Sequence, residues 1–122
     1  VLLTHFHPDH IGGLIAADGS AGFPNAVVKV PEREWAFWTD AGEESRVAEG
    51  RRPNFALVRN RFAPYAEKLE RFAPGSEVAP GITAIATTGH SPGHVSFLVA
   101  DGTAQLLVIG DAVTTPALFM AN

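Results

Sequence analysis

The chain has no cysteine among its 122 residues. Disulfides, thiolate zinc sites and thiol nucleophiles are excluded at once, although a disulfide-free chain suits any compartment. No apolar run approaches the roughly 18 residues of a membrane-spanning helix, and no signal peptide is visible. Basic residues are scarce: nine Lys and Arg face 13 Asp and Glu, for a net charge of −4 and a pI near 5.6. That balance argues against a nucleic-acid partner, which needs a basic surface. The bases are also uneven. Between Glu43 and Arg71, seven bases and five acids net +2, leaving −6 for the rest of the chain. Such a mixed run reads as a solvated helix face, the alternative being an anion-facing patch. An initiator Met is missing too. The chain opens on Val1 in a strand-like run and closes on FMAN with no terminal element, so it reads as an internal piece of a longer protein.

What is present suits one domain: the length is ordinary, and 46% hydrophobic residues can build a core. Val1 to Thr4 reads as the end of a buried strand, followed by a loop and, after Gly12-Gly13, a short helix at 14–17. A strand is expected at 26–30. A helix then opens at Pro31-Glu32-Arg33-Glu34, with proline in the first turn and acids at the positive dipole end. The polar stretch 40–54 reads as a loop with one helical turn. Phe55, Val58, Phe62, Tyr65, Leu69 and Phe72 recur at intervals of three and four, which predicts one apolar helix face kinked or broken at Pro64. Pro74-Gly75 ends it.

The last third reads as sheet, with strands at 77–79, 82–87, 95–100 and 104–109. Asp101-Gly102 marks a tight hairpin between the last two. Leu106 to Ile109 is apolar without alternation, which predicts a strand covered on both faces.

Against this background the polar residues fall in one kind of place. His5, His7, Asp9 and His10 crowd the loop after the first strand. His90 lies in TTGHSPGH after the strand at 82–87, and Asp111 follows the last strand and Gly110. Loops at one sheet edge can bring these together. Neutral imidazole and carboxylate are ligands that zinc accepts, and they also suit iron or manganese. Histidines at 5 and 7 can clamp one ion, Asp9 and His10 point to a second, and an aspartate from another strand can bridge the two. Crowded imidazoles held apart by metal are easier to rationalise than a merely polar loop. His94, at a strand start, reads as a hydrogen-bonding support for the ligands.

THFHPDHIGG, TTGHSPGHVSF and LLVIGDAV resemble three successive motifs of the metallo-β-lactamase superfamily, from Thr4 to Asp111. The resemblance implies an α/β fold, an αββα sandwich with metals at one edge of two sheets, of which this chain is an incomplete central portion. Residues 1–122 then form a single metallo-hydrolase domain with a helical insert at 31–73. Carried over, His5, His7 and His90 hold the first metal, Asp9 and His10 the second, and Asp111 bridges them. The family's further histidine, downstream of the bridging aspartate, is not in this chain, which has six of the usual seven ligands. Typical β-lactamases place cysteine or serine where Asp111 stands, and oxygen-reducing diiron members have glutamate in place of His7. Glyoxalase II-like thioesterases have a shorter gap between His10 and His90. The insert resembles that of the lactonase and organophosphate-hydrolase branch.

The implied chemistry is a dinuclear zinc-type hydrolase acting on a small molecule. A bridging hydroxide attacks an ester, lactone or related carbonyl or phosphoryl bond, and Asp9 carries the proton to the leaving group. Two alternatives share the fold: a mononuclear iron persulfide dioxygenase, and a metal-binding fragment without catalysis of its own. Trp35, Phe37, Trp38, Phe55, Phe62 and Tyr65 are candidates to roof a pocket, with the 55–72 stripe favoured as core.

Overall fold

A computed structural model describes residues 1–113 and Thr115; the closing FMAN lies outside them. Among the described residues, four helices and six strands order the chain. They are α1 (Pro8–Ile11), β1 (Val28–Pro31), α2 (Glu32–Thr39), α3 (Ala41–Arg46), α4 (Pro53–Phe62), β2 (Leu69–Phe72), β3 (Glu77–Ala79), β4 (Ile82–Ala86), β5 (Val95–Asp101) and β6 (Ala104–Val108). Short 3₁₀ turns occupy Gly12–Leu14, Glu49–Arg51 and Ala63–Tyr65.

Two sheets stack against a helical layer, as the metallo-β-lactamase resemblance implied. The first is a parallel pair, β1 with β2, extended at its far side by a bridge from Leu2 to Lys29. The second is antiparallel in the order β3-β4-β5-β6. Side-chain alternation along the first sheet explains the layering. Val28 and Val30 point to one face and pack with Leu3, Phe6, Trp38, Phe55, Val58 and Phe62 beneath the helices. Leu2 and Phe72 point to the other and meet Val78, Ala84, Val95 and Phe97 of the second sheet. Thr4 ties the sheets together, its carbonyl accepting from Val95 N at 3.0 Å.

The helical face expected over 55–72, kinked or broken at Pro64, is helical only in its first part. Phe55, Val58 and Phe62 share the buried face of α4, Tyr65 sits in the following 3₁₀ turn, and Leu69 and Phe72 belong to β2. Pro64 stops the α-helical ladder, and residues 69–72 pair in register with 28–31, a contact some forty positions away that local spacing does not encode. The helix expected at 14–17 lies earlier, because Pro8 and Asp9 start α1 directly after His7. Leu106, Leu107, Val108 and Ile109 were expected to be covered on both faces, yet they are 63, 51, 43 and 40% exposed. Strand β6 has a ladder partner on one side only, and nothing among the described residues packs over it. The hairpin turns at Gly102 and Thr103, because Asp101 pairs with Ala104 and Gly102 supplies the positive φ of +57°.

Candidate metal centre

The five histidines of the chain meet in one place. The ring of His5 lies within 5 Å, centroid to centroid, of the other four: His10 at 4.1, His7 at 4.7, His90 at 4.8 and His94 at 4.9 Å. Each arrives on a different device. His5 leaves the Leu3-Thr4 segment at the sheet edge. His7 holds extended backbone (φ −68°, ψ 153°) as the N-cap of α1, and His10 rides that helix one turn on. His90 hangs in the loop between β4 and β5. Asp111 follows β6 through Gly110, whose φ of +55° turns the chain inward.

Candidate ligand atoms form two groups of three. His5, His7 and His90 make one, and His5, His10 and Asp111 the other, with the donor atoms of each group within 4.8 Å of one another. His7 Nδ1 stands 2.8 Å from His90 Nε2. Asp111 reaches both sides: Oδ2 lies 3.2 Å from His90 Nε2, and Oδ1 lies 3.3 Å from His10 Nε2. Two ligands of one tetrahedral zinc, each about 2.1 Å from it, stand roughly 3.4 Å apart; the Asp111 separations from His90 and His10 are close to that, while His7 and His90 stand at hydrogen-bonding distance. Asp9 is different. Its side chain is 76% exposed and lies 3.6 Å from His10 Nε2, and it joins neither group of three.

The electrostatics agree with cation binding. His5 is fully buried, and its Nε2 is the one buried side-chain polar atom among the described residues without a hydrogen-bond partner. Such an orphan costs about 1–3 kcal/mol unless something occupies it. Burial, reinforced by the neighbouring imidazoles, pushes the His5 pKa down to about 3. Burial also lowers His7 and His94, with His90 adding to both shifts. His5, His7 and His94 are therefore held toward the neutral form, the form in which an imidazole nitrogen offers its lone pair. Thr4 Oγ1, 3.0 Å from His5 Nδ1, leaves Nε2 to face the cluster.

His94 ligates nothing in either group. Its Nε2 accepts from Asp111 N at 3.0 Å, so Nδ1 carries the proton and donates to Thr87 Oγ1 at 2.8 Å, a tautomer assigned from the bonding pattern. Glu34 was read in the sequence only as a first-turn acid. It is wholly buried beside the centre, and the signal for it was an acid one turn before Trp38 on the inward face of α2.

A cleft of about 670 Å³ opens beside His7 and His90, walled by Phe37, Trp38, Val47 and Phe55. Trp35 does not line it and packs edge-on against Phe6 and Phe62. Phe62 and Tyr65 are likewise core, away from this cleft.

The family model of the metallo-beta-lactamase superfamily matches residues 1–121, and the chain belongs to that superfamily. The uncharacterized protein YobT of Bacillus subtilis (strain 168) is 33% identical over 114 residues, covering 92% of this chain and 45% of YobT. Among solved structures, the hydrolase AbOPH of the beta lactamase superfamily matches with TM-score 0.79 and 34% identity, over 90% of this chain and 39% of that one. AidC, a dizinc quorum-quenching lactonase solved with the product N-hexnoyl-L-homoserine, matches in fold with TM-score 0.74 and 24% identity, over 87% of this chain and 38% of that one. The chain thus spans less than half the length of the relatives it matches.

Proposed function

We propose that the protein is a metal-dependent hydrolase with a dinuclear centre of zinc type. His5, His7 and His90 would hold the first ion, Asp9 and His10 the second, with Asp111 shared between them. The observation that carries this reading is the orphaned Nε2 of buried His5, surrounded by donor atoms from three separate loops. A carboxylate with one oxygen toward His90 and the other toward His10 supports the bridging role. Bound divalent cations supply Lewis acidity and bring a water's pKa from about 15.7 toward neutrality. Iron or manganese would fit the same nitrogen and oxygen donors.

The chain's own residues do the rest. Asp9 combines exposure with proximity to His10, and we assign it the transfer of the proton to the leaving group. The cleft beside His7 and His90 offers Phe37, Trp38, Val47 and Phe55 to an apolar acyl or aryl group, next to the polar side chains of Arg33, Arg51 and Asn54. The substrates that fit are small molecules with an ester, lactone or related carbonyl or phosphoryl bond. The homoserine product named for AidC and the hydrolase class of AbOPH support this branch.

The experiment strips the full-length protein of metal, titrates it with Zn²⁺ and assays an ester and lactone panel. Two zinc ions per chain and turnover that disappears in the double variant His5→Ala, His7→Ala are expected. Turnover that survives both substitutions overturns the proposal, and one iron per chain with persulfide oxidation points to the dioxygenase reading instead.

A further inference from the structure

One buried ionisable side chain has no part in the chemistry above. Glu34, on α2, has no exposed surface and forms no ion pair with a Lys or Arg among the described residues. Its carboxylate accepts four hydrogen bonds. Oε2 takes one from Phe6 N at 3.2 Å and one from the Trp38 indole Nε1 at 2.7 Å. Oε1 takes one from Ser91 Oγ and one from Gly93 N at 2.7 Å. All four partners are donors, the full set a carboxylate can satisfy.

The origin of those donors is informative. Phe6 stands between His5 and His7, Ser91 follows His90, and Gly93 precedes His94. Apart from the Trp38 anchor on its own helix, Glu34 bonds only to the two loops that carry the histidines. A residue needed merely to seat α2 on the sheet would be apolar, since a buried carboxylate is expensive to desolvate. Gly93 shows how close the approach is. A Cβ there would come 2.3 Å from Glu34 N and 2.8 Å from Arg33 C, so only glycine lets its N–H reach this carboxylate.

We propose that Glu34 is a positioning residue of the metal centre: its carboxylate clamps the His5–His7 loop to the His90–His94 loop and so sets the His7–His90 separation. The inference rests on the metal-site reading above. The buried negative charge also offsets the cation it helps to seat.

The test compares the full-length protein with Glu34→Gln, which keeps the shape but puts an N–H₂ donor opposite the N–H of Gly93 or of Phe6. Zn²⁺ affinity is measured by chelator competition, and Co²⁺ substitution gives the visible spectrum, both at a temperature where circular dichroism shows each protein folded. Zinc binding about 10–100-fold weaker, with an altered Co²⁺ spectrum, is expected, the range typical for groups that orient ligands. A role in stability alone would lower the melting temperature and leave affinity and spectrum unchanged, and that result overturns the inference. If Glu34→Gln does not fold, Ser91→Ala and Trp38→Phe each remove one bond to the same carboxylate. Weaker zinc binding in either supports the clamp, and unchanged binding in both overturns it. An unsubstituted protein that binds no metal overturns the metal-site reading itself, a result distinct from a Glu34 variant that binds normally.

Discussion

Asp111 is aimed by His94: the aspartate's backbone N–H donates to the ring Nε2 at 3.0 Å, while Nδ1 of the same ring is held by Thr87 Oγ1 at 2.8 Å. Thr87 Oγ1 also meets Ser96 Oγ at 3.0 Å, and Ser96 reaches the carbonyl of Ile109 at 3.2 Å. The Asp111 backbone is thus tied to β5 by a chain of polar contacts, without being part of that strand. Replacing His94 by phenylalanine keeps the bulk and removes both ring bonds. The expected result is zinc affinity lower by about tenfold or more, with a stability loss of about 1–3 kcal/mol from the stranded Asp111 N–H and the lost Thr87 bond. Chelator competition and urea unfolding check the two effects separately.

Gly110 meets two demands at one position. Its φ of +55° lies in the left-handed region, and an added Cβ would stand 2.8 Å from His94 Nε2 and 3.1 Å from two carbons of Thr4. Gly110→Ala is therefore expected to do more than the ordinary cost of a strained turn, of order 1–3 kcal/mol. By pushing on the His94 ring it should also displace Asp111 and weaken metal binding. A variant that loses stability but binds zinc as tightly as the parent would show that the crowding is relieved without moving the carboxylate.

The clustering of the candidate ligands was legible in the sequence for a simple reason. HFHPDH compresses its chemistry into six positions, and no packing role requires three imidazoles there. His90 and Asp111 could be placed beside it because each follows an apolar run that reads as a strand. Strand β1 was legible, but β2 and its pairing with β1 were not: Val28 meets Leu69 across a helical segment, and Leu69 happens to fall on a helical spacing from Tyr65 and Phe62. Periodicity reports local geometry, whereas this register is set by a parallel partner. Glu34 was hidden by a sufficient local explanation, since an acid in a first helical turn already satisfies the dipole. Its burial depends on the approach of two distant loops. The exposed run 106–109 marks the opposite limit, where sequence texture indicates cover that the described residues do not provide.

Tyr65 offers a control remote from the centre. Its hydroxyl donates to the carbonyl of Leu14 at 2.7 Å and accepts from Phe23 N at 2.9 Å, pinning the loop between them while the ring fills the core. Tyr65→Phe leaves the ring packing intact and removes the partner of the Phe23 N–H, whereas the Leu14 carbonyl keeps its bond from Gly22 N at 2.8 Å. A loss of about 0.5–1.5 kcal/mol is expected, together with faster proteolysis within residues 14–23 and unchanged zinc affinity. A fall in affinity equal to that of His94→Phe would mean that the 14–23 loop, too, helps to place the ligands.

Metal removal should register in stability as well as in chemistry. His5 Nε2 is buried without a hydrogen-bond partner, beside the Asp111 carboxylate and four further imidazoles, so metal bound there would relieve an unsatisfied group. A Zn²⁺ ion that binds the folded state and not the unfolded chain adds RT ln(1 + [Zn²⁺]/Kd), about 2.7 kcal/mol when free zinc exceeds Kd by 100-fold. The melting temperature is therefore expected to climb steadily with zinc and to fall on adding a chelator. Mg²⁺, which prefers octahedral oxygen ligands, should do much less. The His5→Ala variant isolates the cause: it removes the orphaned nitrogen, so its metal-free form should lose less than core truncation alone would cost, and its zinc response should be largely abolished. Equal zinc stabilisation of parent and variant would locate the bound ion elsewhere on the molecule.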